Sequence, residues 1–122
     1  MNWNIDNNKP IYIQLVDKLK SKIISGEIQP GGKLESVRNL AEDAKVNPNT
    51  MQKALVELER EELVYSKRTS GRFVTDNEEK IKNMREEVAN KEIDNLKTAL
   101  KELGYSEEEI IKLIINNIKG VI

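Results

Sequence analysis

Apolar residues recur at three- and four-residue spacing after Lys9-Pro10, at Tyr12, Leu15, Val16, Leu19, Ile23 and Ile24. That period gives an amphipathic helix, and proline suits its start, where a missing N–H costs nothing. Gly26 stops the helix, and Gln29-Pro30-Gly31-Gly32 turns the chain. A second, short helix is expected from Ser36, whose hydroxyl can cap free backbone N–H groups, and it buries Val37, Leu40, Ala41 and Ala44. A third must begin within Val46-Asn47-Pro48-Asn49-Thr50, because Asn47 offers a capping side chain and Pro48 fits the first helical position. Its stripe is narrow, Met51, Ala54, Leu55 and Leu58, and Glu59-Arg60-Glu61-Glu62 is expected to end it in solvent.

Leu63-Val64-Tyr65-Ser66 and Arg72-Phe73-Val74-Thr75 are short β-prone runs, and Lys67-Arg68-Thr69-Ser70-Gly71 between them has the length and glycine of a hairpin connection. Beyond Asp76-Asn77 the pattern changes to a long charged helix with the stripe Ile81, Met84, Val88, Ile93, Leu96, Leu100 and Leu103, stopped by Gly104. Ser106-Glu107-Glu108-Glu109 is a capping box that opens a last helix carrying Ile110, Ile111, Leu113, Ile114, Ile115 and Ile118. The fold class expected is mostly α with a small β-hairpin. Residues 1–77 form a winged helix-turn-helix and residues 78–122 a two-helix dimerisation tail.

Composition narrows the chemistry. The chain has no cysteine and no histidine, so disulfides, thiolate metal sites and the commonest general base are absent. No cofactor and no transition-metal sensor are expected. Carboxylate clusters such as Glu61-Glu62 and Glu107-Glu108-Glu109 sit at helix ends, where capping explains them better than catalysis, so an enzyme is not expected. No apolar run reaches the roughly 18–20 residues that span a bilayer, and the first residues lack a signal-peptide pattern, so the expectation is a cytoplasmic protein away from the membrane. The net charge is −1, split as 12 Lys/Arg against 11 Asp/Glu in residues 1–77 and 8 against 10 in residues 78–122. Any nucleic-acid affinity must therefore come from local basic clusters.

Helix, helix, tight turn, helix, hairpin is the layout of a winged helix-turn-helix, whose third helix enters the major groove of double-stranded DNA. With Met51, Ala54, Leu55 and Leu58 in the core, Asn49, Thr50, Gln52, Lys53 and Val56 face outward. Asn and Gln can pair bidentately with adenine, Thr can touch a thymine methyl, and Lys can reach guanine or phosphate. A helix surface of this composition is usually idle; its place at the start of a recognition helix argues for contact. The capping residues Ser36 and Asn47 border it. Lys33 and Arg38 lie where the preceding helix crosses the DNA backbone. Lys67, Arg68 and Arg72 surround Gly71 with no acid between them in sequence, which suits a phosphate-contacting wing better than a merely solvated turn.

Pro10-Ile11-Tyr12-Ile13-Gln14-Leu15, Gly26-Glu27-Ile28-Gln29-Pro30-Gly31, Ser36-Val37-Arg38-Asn39-Leu40-Ala41, Val46-Asn47-Pro48-Asn49-Thr50-Met51 and Ala54-Leu55-Val56-Glu57-Leu58-Glu59-Arg60-Glu61 together resemble the GntR family of bacterial regulators. The Asn-Pro-Asn-Thr turn and the short tail look most like its YtrA subfamily. The resemblance implies a dimeric regulator, a repressor of its own operon, on a palindromic operator, often where ABC transporters are encoded. It places DNA contacts on Arg38, Asn49, Thr50, Gln52 and Gly71. The chain departs from the family pattern at Glu35, where proline is common, near Glu62, where glycine is common, and at Pro48 and Gln52, where some relatives carry arginine.

Two helices in residues 78–122 bury too little surface alone, so a homodimer through Met84, Val88, Leu96, Leu100, Leu103, Ile110, Ile111, Ile114 and Ile118 is expected, with some packing back on the winged helix. Trp3 and Ile5 are expected to cover the core or that interface. A small-molecule effector has room beside the tail, but no residue cluster identifies one. The alternative function is a winged-helix module that binds proteins and never touches DNA, for which the near-neutral charge speaks.

Overall fold

The computed structural model describes residues 3–120. It contains α1 (Ile11–Ile24), α2 (Val37–Ala44), α3 (Pro48–Arg60), β1 (Val64–Lys67), β2 (Gly71–Val74), α4 (Glu78–Glu102) and α5 (Glu107–Lys119), in that order. Two compact units divide the chain, Met1–Met84 and Arg85–Ile122. The division falls inside α4, whose first turns belong to the amino-terminal unit through buried Ile81.

In the first unit, three helices and a hairpin close around Leu15, Leu19, Ile23, Leu40, Met51, Leu55, Leu58, Leu63 and Val74, all fully buried. α1 contributes the stripe read from its period, save that Tyr12 stays half-exposed at the edge. The Ser36 hydroxyl accepts from the Asn39 N–H at 3.1 Å, and the Asn47 side chain accepts from the Asn49 N–H at 2.7 Å, so both short helices start on the predicted caps. α2 and α3 end alike. Lys45 (φ 58°) and Glu62 (φ 63°) take the left-handed conformation just past each helix, and Val46 and Leu63 donate back to Ala41 and Leu58 at 3.0 Å each. Helices commonly use glycine at such a position.

β1 and β2 pair antiparallel, with Val64 opposite Val74, Tyr65 opposite Phe73, Ser66 opposite Arg72 and Lys67 opposite Gly71. A third segment joins them: Lys33 bridges Phe73, Leu34 donates to the Arg72 carbonyl at 2.9 Å, and Val74 donates to the Gly32 carbonyl at 2.8 Å. The sequence reads this stretch only as the exit of a turn, because three residues are too few to show a strand period. Trp3 is buried and its indole N–H donates to Asp43 of α2 at 2.9 Å, so it covers the core as expected. That hydrogen bond holds the Asp43 carboxyl below the ordinary aspartate range.

The second unit is the rest of α4 with α5. Ser106 and Glu109 form the predicted capping box, side chain to backbone in both directions, and Lys97 and Lys101 pair with Glu107. Among the described residues of this unit, Ile110 is the one that is buried. Ile93, Leu96, Leu103, Tyr105, Ile111, Leu113, Ile115 and Ile118 stay exposed.

Candidate nucleic-acid interface

α3 turns its apolar stripe inward, so Asn49, Gln52, Lys53 and Val56 emerge on the opposite side and Thr50 is half-buried at the edge. α3 packs against α1 and α2, with Leu55 and Leu58 fully buried. Pro48 and Asn47 fix where α3 begins, and its first N–H groups lie beside Asn49 with the positive end of the helix dipole. The expected cap residues serve two masters here: the Ser36 and Asn47 oxygens are already taken by backbone N–H groups, which leaves the Asn47 amide hydrogens and the Ser36 hydroxyl proton to meet a partner.

Each expected cation has a distinct setting. Arg38 is exposed and, among the described residues, forms no ion pair with Glu35. Lys33 lies across Gly71, where an added Cβ would stand 3.3 Å from the lysine Cε. With φ at 105°, Gly71 holds a backbone shape that other residues adopt only under strain. Lys67 sits over the ring of Phe73 at 4.8 Å and that of Tyr65 at 5.9 Å, a pair of cation–π contacts that stiffen the wing. Lys53 sits over Tyr12 at 5.6 Å, on the α1 side of α3. Arg68 is exposed at the hairpin tip. Between wing and α2 runs an open groove of about 580 Å³, walled by the stretch from Lys33 to Val37 and by Thr69 to Arg72.

Arg72 differs from the others. Its guanidinium is turned onto α3, where Nε donates to Glu59 and Nη1 to the Gln52 side-chain oxygen, and only 18% of its side chain is exposed. No acid separates the wing cations in sequence; in space Glu59 stands beside Arg72, two helical turns beyond Gln52. The acidic end of α3 reaches solvent at Arg60 and Glu62, and its carboxylates are paired. Glu57 pairs with Arg60, Glu59 with Arg72, Glu61 with Lys20 and Glu62 with Lys80. Arg60 holds the Glu57 carboxyl below the ordinary glutamate range, and Glu57 raises the guanidinium in return. These pairs cancel negative charge that would otherwise repel phosphate near the recognition face.

Two short helices joined by a capped turn, the second with a polar face free, and a basic hairpin beside it define a winged helix-turn-helix DNA-binding domain. The family model for bacterial regulatory proteins of the gntR family matches residues 11–74. The chain is 33% identical over 112 residues to the uncharacterized HTH-type transcriptional regulator YhcF of Bacillus subtilis (strain 168), covering 92% of this chain and 93% of that protein. It is 41% identical over 71 residues to the HTH-type transcriptional repressor YtrA of the same organism, covering 58% of this chain and 55% of that one. Among solved structures, a GntR family transcriptional regulator from Listeria monocytogenes superposes with a TM-score of 0.86 at 35% identity, covering 92% of this chain and 98% of the other. The chain therefore belongs to the gntR family, with YtrA-like relatives, and is a DNA-binding transcription regulator and not an enzyme. Family membership decides against the protein-only module. Among the described residues no helix is long and apolar enough to cross a membrane.

Proposed function

We propose that this chain is a cytoplasmic, sequence-specific repressor of its own operon, of the ABC-transporter kind the resemblance implies, and that it binds a palindromic operator as a homodimer. The observation that carries the reading is the solvent-facing polar side of α3, with Asn49, Gln52 and Lys53 exposed and Thr50 at its edge, at the amino-terminal end of a helix whose other side is locked in the core. α3 lies in the major groove with those side chains on base edges. Arg38, Lys33 and the wing tip with Lys67, Arg68 and Gly71 take the phosphates, and Ser36 and Asn47 frame the entry.

The dimer rests on the tail. Exposed Leu103, Ile111 and Ile118 flank half-buried Ile114 and Leu100, a patch of the kind that marks an interaction surface. Leu96, Val88 and Met84 extend it along α4, while Ile110 serves the tail's own packing. We take residues 1–77 as the DNA-binding unit and residues 78–122 as the dimerisation unit, with Ile81 at the start of α4 packing into the first.

Gel shift on DNA from the chain's own promoter region tests the site. Wild type shifts the duplex, whereas Arg38→Ala and Gln52→Ala shift it only at markedly higher protein concentration, with circular dichroism unchanged. Intact binding in both variants would sink the assignment. Affinity should fall steeply with salt, the logarithmic slope being about 0.9 for each phosphate neutralised.

A further inference from the structure

We propose that Arg72 sets base specificity by positioning Gln52, converting it from an adenine reader into a donor-only reader that selects guanine; this rests on the reading above that Gln52 faces a base edge. A free glutamine reads adenine with both ends of its carboxamide, donating to N7 and accepting from the N6 amine. Here the oxygen is drawn to one side. Arg72 Nη1 donates to Gln52 Oε1 at 3.4 Å, which turns the oxygen toward the wing and leaves the NH2 group as the free end.

The arginine is itself held. Glu59 accepts from Arg72 Nε and, at 3.2 Å, from the Ser66 hydroxyl, so one carboxylate on α3 ties down two wing residues. The planar guanidinium offers its donors in a fixed fork, so anchoring Nε on Glu59 fixes where Nη1 lies. With its charge compensated and its side chain mostly covered, Arg72 is a positioning residue and not a phosphate contact. On the major-groove edge guanine presents two adjacent acceptors, O6 and N7, which suit the two hydrogens of a single NH2 group. Adenine presents N7 beside a donor, which an NH2 group alone leaves unpaired. The wing thus acts on sequence readout from behind the recognition helix, at a position where neither arginine nor glutamate meets a base.

Duplexes enriched from a random pool by the wild-type protein supply the half-site. Fluorescence anisotropy then compares all four base pairs at each of its positions, for wild type, Gln52→Ala, Arg72→Ala and Arg72→Lys. Lysine keeps a cation opposite Glu59 but has no second nitrogen to reach Gln52, so it preserves the wing while releasing the carboxamide. Wild type should favour guanine over adenine at one position by roughly tenfold, within the range of a good base contact. Gln52→Ala should flatten that position, and both Arg72 variants should shift it toward adenine and leave the other positions unchanged. A guanine preference that survives in Arg72→Lys would overturn the proposal, as would one that survives in Gln52→Ala. Failure to enrich any duplex would instead overturn the underlying DNA-contact reading, a result visible before any variant is tested.

Discussion

Replacing Ile118 by alanine should break the dimer while leaving each protomer folded. Ile118 is 79% exposed and Ile111 57% exposed in the isolated chain, so neither stabilises it much. If a second copy covers Ile118, truncation removes most of the side chain from an apolar contact, at about 0.8 kcal/mol for each buried carbon, or about 2 kcal/mol per copy. Two-fold symmetry doubles this to about 4 kcal/mol per dimer, roughly a thousandfold in Kd. Sedimentation equilibrium over a concentration series reads the change directly, and circular dichroism checks that helix content is kept. Operator affinity should fall in step, since a single copy engages one half-site. An Ile118→Ala protein that dimerises as tightly as wild type would refute this, because the face would then be uncovered in the assembly.

Three further outcomes follow from the structure. Gly71→Ala places a Cβ against Lys33 Cε in a left-handed backbone, and it should cost about 1–3 kcal/mol in chemical denaturation and weaken DNA binding by misplacing the wing. Glu62→Gly relieves a left-handed non-glycine residue at about 1–2 kcal/mol, offset by a more flexible unfolded chain and by an exposed ion pair to Lys80; calorimetry should show Tm raised by about 2 °C. The third concerns pH. The Ser106 backbone N–H and hydroxyl hold the Glu109 carboxyl below its ordinary range. A depressed carboxyl contributes stability that is present above its unfolded pKa and lost as pH falls through the folded value. Tail helicity should therefore drop only below about pH 4.3, the usual glutamate value, and Glu109→Gln should shrink that step in a dichroism titration, leaving the share of Glu107, which Lys101 and Lys97 also hold low.

What the sequence conveys well is local. Ser36, Asn47 and Ser106 cap helices through bonds to residues two or three positions away, so a short window holds all the information. The buried stripes of α1 and α3 follow from period alone. Pairings across the chain are invisible at that range: Lys33 bridging Phe73, Glu59 meeting Arg72, and Lys20 reaching Glu61 join residues far apart in sequence. At the end of α3, Arg60 and Glu62 stay in solvent as the sequence suggests, whereas Glu59 and Glu61 are partly covered because Arg72 of the hairpin and Lys20 of α1 fold onto them. Lys45 and Glu62 carry left-handed turns without the glycine that would announce them. A glutamate two turns beyond Gln52 on the same helix, opposite a wing arginine, is the one signal that would have pointed to the network.

Selection of duplexes from a random pool by the wild-type protein tests the central claim most directly. A dimer that sets one copy of α3 in each of two major-groove segments should enrich an inverted repeat, its half-site centres about 34–36 Å apart or a multiple of that. A single unrepeated motif, or no enrichment at low salt, would contradict the account.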